Sequence, residues 1–265
     1  MRVVSLVPSL TLTLFDLGLD ATSIVGRTPW CIHPQQHVEH IEVVGGTKNP
    51  KLKKILATSP DVVVLDREEN PKDIHDALLE NGIDVFVSYV ESPADVPNML
   101  RQLGAKVGCG QRGETMAVML EEQLKLYENT SIGPMRVLPM IWHKPLMTVS
   151  PSRYAGALLE TLGVKVPDLE PQGNGYPVVS IQGIIDHSID GLLLSSEPHD
   201  FTLQEGEEIA NQVRNAGGGE VWFTTIDGEA LTWFGSHTIK GLAHLHEVLE
   251  SLKNSNQSES TTSKR

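Results

Sequence analysis

The run Glu197-Pro198-His199-Asp200 places an imidazole among carboxylates, the usual equipment for proton transfer. Neighbouring residues in an extended loop point in different directions, so the run is not an acid/base pair by itself. His33, His37 and His40 recur at spacings of four and three, which would line them up on one helix face. Pro34 interrupts them and only Glu39 and Glu42 stand nearby, so they read as a solvated surface cluster. His143 and His199 each follow an expected strand. Either could offer a neutral imidazole to cobalt or iron as an axial ligand, or serve as a polar rim residue bonded to water or backbone. A nucleophile elbow, a phosphate-cradling glycine loop and an H-E-x-x-H pair are all absent from the sequence. Gly217-Gly218-Gly219 precedes a strand instead of following one and reads as a turn. The expectation is a binding protein with no catalytic residue, no resident metal and no intrinsic cofactor.

Aromatic residues make up 5% of the chain, yet Trp30, Trp142, Tyr176 and Trp233 all fall in expected loops or at strand ends. Flat rings there suit a planar or bulky apolar ligand, and packing within a core is the competing reading. Pro8, Ser9, Glu69, Asn70 and Glu197 complete the candidate ligand-binding set, because each follows an expected strand. Glu68 and Glu69 could accept hydrogen bonds from a ligand's amides or hydroxyls. Asn70 precedes Pro71 and is expected to cap a helix with proline at its first position.

What must position these residues is an alternation of short apolar strands and amphipathic helices. Arg2 to Val7 reads as a strand, and Ser9 is expected to cap a helix that Gly18 stops. Strands at 61–65 and 83–89, with helices from Pro50, from Pro71 and from about Ser92 to Leu103, continue the pattern. Gly113 to Asn129 carries one long helical pattern. A second series follows: strands at 135–142, 190–194 and 220–225, and helices at 154–162, 181–185, 205–215 and 239–252. Nearly continuous apolar strands alternating with helices imply parallel sheets covered on both faces, an α/β fold. Residues 55–65 and 184–194 repeat one another faintly: a helix end, a serine turn at Ser59 or Ser188, then Asp61 or Asp190 ahead of a buried strand. The expected layout is two Rossmann-like lobes, 1–108 and 132–253, joined by a bridging helix at 109–131 and followed by a disordered tail at 254–265. A ligand is expected in the cleft between the lobes.

With 265 residues, 40% of them hydrophobic, the chain can bury sizeable cores. A net charge of −13 argues against a nucleic-acid or anionic-membrane surface. Cys31 and Cys109 form no C-x-x-C pair and are expected to be small core thiols. Pro8 and Ser9 interrupt the first apolar run before a secretory segment develops, so as written the chain is expected to stay where it is made; a mature periplasmic chain would read the same. A monomer without membrane insertion is expected.

The motifs Arg2-Val3-Val4-Ser5-Leu6-Val7-Pro8-Ser9, Val25-Gly26-Arg27-Thr28, Val44-Gly45-Gly46-Thr47-Lys48-Asn49-Pro50, Pro60-Asp61-Val62-Val63-Val64, Glu68-Glu69-Asn70, Ser195-Ser196-Glu197-Pro198 and Asp227-Gly228-Glu229 with Trp233-Phe234-Gly235-Ser236 carry a family resemblance. Taken in order, they resemble the periplasmic solute-binding proteins that serve vitamin B12, haem and iron-siderophore import, and in detail the cobalamin-binding branch. The resemblance implies a cobalt corrinoid as ligand, with Trp30 and Tyr176 at aromatic positions beside the corrin. Thr47 and Asp66 stand where a relative has further tryptophans. It also implies an ABC permease as partner. Transporter-coupled members present one glutamate per lobe to that permease, whereas Lys53 and Gln182 occupy those positions here, and a cation cannot replace an anion facing arginine. Haem or iron-siderophore binding for import is the first alternative. A cytoplasmic corrinoid-handling chaperone or enzyme on the same architecture is the second.

Overall fold

The computed structural model describes residues 1–128 and 132–262, with the side chains of 128 and 254–262 left out. The last residues of the expected bridging helix, 129–131, lie outside the described residues, as do 263–265 of the expected tail, whereas 254–262, expected to be disordered, continue helix Thr238–Thr262. The chain divides into two compact units: Met1–Val90 with Ala94–Glu121 and Phe234–His237, and Glu91–Pro93 with Glu122–Trp233 and Thr238–Arg265.

The first unit holds strands β1 (Val3–Ser5), β2 (Ile24–Arg27), β3 (Val62–Asp66) and β4 (Asp84–Ser88) in the order β2-β1-β3-β4, all parallel. Parallel neighbours need crossovers, and helices Pro8–Asp16, Leu52–Ala57 and Lys72–Glu80 lie in them. Both faces of β1 and β3 are therefore covered, and Val3, Val4 and Val62 through Leu65 are all buried. Val4, Leu6, Val63 and Leu65 pack with Val44, Ile55, Ile74 and Leu78 in one cluster. Each such side chain contributes about 1.5–3 kcal/mol when buried. The sheet order reverses between β1 and β3, and open parallel sheets bind ligands at the carboxyl ends beside such a reversal.

The second unit repeats the plan with β5 (Val137–Trp142), β6 (Met147–Thr148), β7 (Gly191–Ser195) and β8 (Trp222–Ile226) in the order β6-β5-β7-β8. Strands β5, β7 and β8 run parallel, and the two-residue β6, which its length hides from a periodicity reading, pairs antiparallel at the edge. Leu138, Met140, Leu192 and Leu194 pack with Ile184, Phe201, Ile209 and Val213.

The faint repeat is real at atomic detail. Ser59 and Ser188 both take left-handed backbone, with φ of 48° and 50°. The Asp61 carboxylate accepts from the Arg2 amide at 2.7 Å, and that of Asp190 accepts from the Arg136 amide at 2.7 Å. Each aspartate thereby ties the entry of one central strand to the entry of the next. A long helix, Gly110–Glu128, packs its start on helix Val96–Lys106 so closely that a Cβ on Gly113 would meet the Leu100 carbonyl oxygen at 2.6 Å. Arg101 fastens the pair through Glu114 at 2.8 Å and Glu121 at 2.6 Å.

Two expected caps differ. Ser9 lies inside helix Pro8–Asp16, whose cap position is Val7 with proline following, since proline's missing N–H costs nothing there. Asn70 does not cap helix Lys72–Glu80; the cap position is Pro71 with no side-chain bond, because the Asn70 amide is engaged elsewhere.

Candidate functional site

In the first unit the candidates sit where β1, β2 and β3 end. Thr28 and Cys31 are fully buried and close a tight turn, the Cys31 amide donating to the Thr28 carbonyl at 3.2 Å. Trp30 lies between these anchors and is 64% exposed, so the turn holds a large ring out in water. Burial pushes the Cys31 thiol pKa up, which keeps it protonated and inert. Cys31 is thus the expected core thiol, whereas Cys109 is only half-buried.

Asn70 is buried and joins three segments. Its Oδ1 accepts from the Asp66 amide at 2.8 Å, and its Nδ2 donates to the carbonyls of Thr47 at 2.9 Å and Leu6 at 3.3 Å. Asp66 Oδ1 accepts from the amides of Glu68 at 2.9 Å and Glu69 at 3.1 Å, while Oδ2 accepts from the Ser88 hydroxyl at 2.6 Å. Thr47 and Asp66, at positions where a relative carries tryptophans, are therefore buried parts of a polar network that shapes the rim. Glu69 is half-exposed, 3.9 Å from Lys48. Pro8 is half-buried and Ser9 is buried, its carbonyl accepting from the Thr13 hydroxyl at 2.8 Å. His33, His37 and His40 share no helix of useful length: the helix there is Gln35–Val38, His37 stacks on Phe15 at 5.5 Å, and His40 contacts Glu39 at the surface.

In the second unit the candidates gather where β5, β7 and β8 end. Trp142 closes β5, is 42% exposed and donates its indole N–H to the Lys144 carbonyl at 3.0 Å. His143 and His199 converge on one oxygen of Glu205, Nδ1 at 2.8 Å and Nε2 at 3.0 Å from Oε1. The other oxygen of Glu205 accepts from the Thr202 amide at 2.8 Å and hydroxyl at 3.0 Å, completing a capping box on helix Leu203–Asn215. These bonds, the Thr202 amide foremost, lower the Glu205 pKa to about 2. Sequence reasoning missed Glu205 as a site residue, although Thr202-x-x-Glu205 is a legible capping signature three residues past His199.

Glu197 accepts from the Thr232 hydroxyl and the Trp233 indole N–H, each at 3.1 Å, yet burial and the nearby Glu229 and Asp227 hold its carboxyl above the usual range. Trp233 is 7% exposed, so the ring expected to face a ligand is instead packed inside, with its N–H on Glu197. Tyr176 is half-buried, with the Arg153 guanidinium 5.7 Å from its ring centre. A shallow recess of about 320 Å³, lined by Pro134, Met135, Asp190, Glu220 and Trp222, lies at the opposite, amino-terminal ends of these strands. Open parallel sheets bind ligands at the other, carboxyl end.

The model of the family described as periplasmic binding protein matches residues 3–214, most of the chain and both sheets' central strands. The chain belongs to the periplasmic binding protein family. It is accordingly a solute-binding protein and not an enzyme. It is 25% identical over 255 residues to a vitamin B12-binding protein of Vibrio campbellii, covering 94% of this chain and 88% of that one. A vitamin B12-binding protein of Pectobacterium atrosepticum is 23% identical over 171 residues, and that match spans 62% of this chain and only 61% of the relative's length. A solved periplasmic haem-binding protein of Vibrio cholerae superposes with a TM-score of 0.75 at 17% identity over 94% of this chain and 98% of that one. That likeness is one of fold. The expected two sheets of mostly parallel strands and the expected family both hold.

Proposed function

We propose that the protein captures a corrinoid, or a related tetrapyrrole metal chelate, with the loops at the carboxyl ends of its strands. The observation that carries this is Trp30: a turn anchored by two buried residues holds an exposed indole just past the carboxyl end of β2. An exposed aromatic face gains most from a large flat partner. Trp142, exposed where β5 ends, and half-buried Tyr176 supply further ring surface, and Glu69 and Glu197 supply acceptors for amide substituents. The sequence relatives named for vitamin B12 support the corrinoid form of the reading. His143 and His199, partly exposed imidazoles beside Trp142, favour haem as the second reading, since iron takes axial imidazole. The reading concerns ligand capture. The exposed Lys53 and Gln182 speak against docking to a permease through paired glutamates.

Calorimetric titration with cobalamin, cobinamide, haem and a ferric siderophore tests it. One-to-one binding of cobalamin or cobinamide supports the corrinoid form and binding of haem alone the second reading; no heat and no spectral change with any of them removes both.

A further inference from the structure

The second unit holds a group of side chains that ligand capture does not use in full. His143 follows β5, His199 lies in the loop after β7, and Glu205 opens the next helix. One ligand atom from each lies within 4.8 Å of the others. Among the described residues this is the one grouping of three or more such side chains close enough to hold an ion. We propose that His143 Nδ1, His199 Nε2 and Glu205 Oε1 form a binding site for a divalent late first-row cation of the zinc type.

Three features carry the assignment. The donor chemistry is two imidazoles and one carboxylate, a set that suits zinc and its neighbours and does not suit calcium or magnesium, which demand oxygen. The spacing is close to what a tetrahedral ion needs. With bonds of about 2.0–2.2 Å the edges of such a site are roughly 3.4 Å, against present N···O distances of 2.8 and 3.0 Å. The positions are also held from outside. Thr202 fixes the far oxygen of Glu205 through the capping box, and the buried Phe201 ring packs at 4.6 Å on His199 and 5.9 Å on His143. Groups of this kind, which orient ligands without touching the ion, commonly tune affinity.

Side-chain exposures of 22%, 31% and 19% leave one side of the cluster facing water, so the fourth position is open to water or to an added donor. The ion takes neutral imidazoles. The coordinating nitrogen of each ring carries no proton when the ion is bound.

The test uses the full-length untagged chain, stripped with a chelator and then titrated with Zn²⁺ by calorimetry and with Co²⁺ by visible absorption. We expect one equivalent of either ion, four-coordinate cobalt bands, and quenching by Co²⁺ of Trp142, whose ring lies 6.2 Å from that of His199. His143→Gln, His199→Gln and Glu205→Gln should each weaken binding by about a hundredfold or more. Thr202→Ala, which keeps the backbone amide bond to Glu205 but removes the hydroxyl bond and the helix cap, should weaken it by less than tenfold. Circular dichroism confirms that each variant is folded, and His75→Ala, a surface histidine beside Asp76, should bind like wild type. Unchanged affinity in the folded His143 and His199 variants, or no binding by folded wild type, would leave the cluster as a hydrogen-bonded brace and overturn the site.

Discussion

Replacing Asn70 with alanine separates a residue that shapes the rim from one that touches the ligand. Its side chain satisfies the Asp66 amide and the Thr47 and Leu6 carbonyls, all in buried surroundings. Stranding one buried polar group costs about 1–3 kcal/mol, and partial rescue by water brings the sum for the three to about 3 kcal/mol. For a unit of this size that is a fall of roughly 10 °C in Tm. Scanning calorimetry of wild type and Asn70→Ala reads the shift directly, and urea unfolding followed by far-ultraviolet circular dichroism checks it. Ligand affinity should fall as well, because three rim segments lose their common tie. A Tm within about 2 °C of wild type together with weakened ligand binding would refute the reasoning and make Asn70 a contact residue.

Trp30→Ala should leave Tm within about 1 °C while weakening ligand binding roughly tenfold, since an exposed ring adds contact area and little folding energy. Glu197→Gln should raise stability at neutral pH. The folded-state pKa is raised, chiefly by burial, so the folded state holds its proton more tightly; its relative stability is full below the ordinary carboxylate range and is lost as pH rises through the raised value. Glutamine keeps an oxygen for the bonds from Thr232 and Trp233, and the stability gain measured by urea unfolding should vanish at low pH. Ser59→Gly and Ser188→Gly should each stabilise by a few tenths of a kcal/mol, because relief of left-handed backbone strain slightly exceeds the entropy glycine costs; thermal melts of the two single variants check this.

Much of the fold was legible because its strands are runs of valine and leucine that only a sheet covered on both faces accepts. The repeat was legible through Ser59 and Ser188, whose shared backbone conformation and paired aspartates keep a sequence trace. Short pieces were not: β6 has two residues, and helix Gln35–Val38 spans a single turn, so neither shows a period. Among site candidates, local sequence put Trp30 in a loop, and the structure adds that it is exposed there. It could not reveal that Trp233 is buried with its N–H on Glu197, a contact across 36 positions. Nor could it show that Asn70 reaches back to Leu6, because a proline-adjacent asparagine looks like a cap whichever way its amide turns. Glu205 escaped because the sequence shows it only as the start of a helix, and only the fold brings His143 to it.

The proposed capture role requires the loops at the strand ends to hold a large flat metal chelate against Trp30. Equilibrium dialysis of the chain against cobalamin and against haem, with wild type and Trp30→Ala side by side, tests it most directly. One bound chelate per wild-type chain and a clear loss on removing the indole are expected. Equal retention by both proteins, or none by either, would contradict that role.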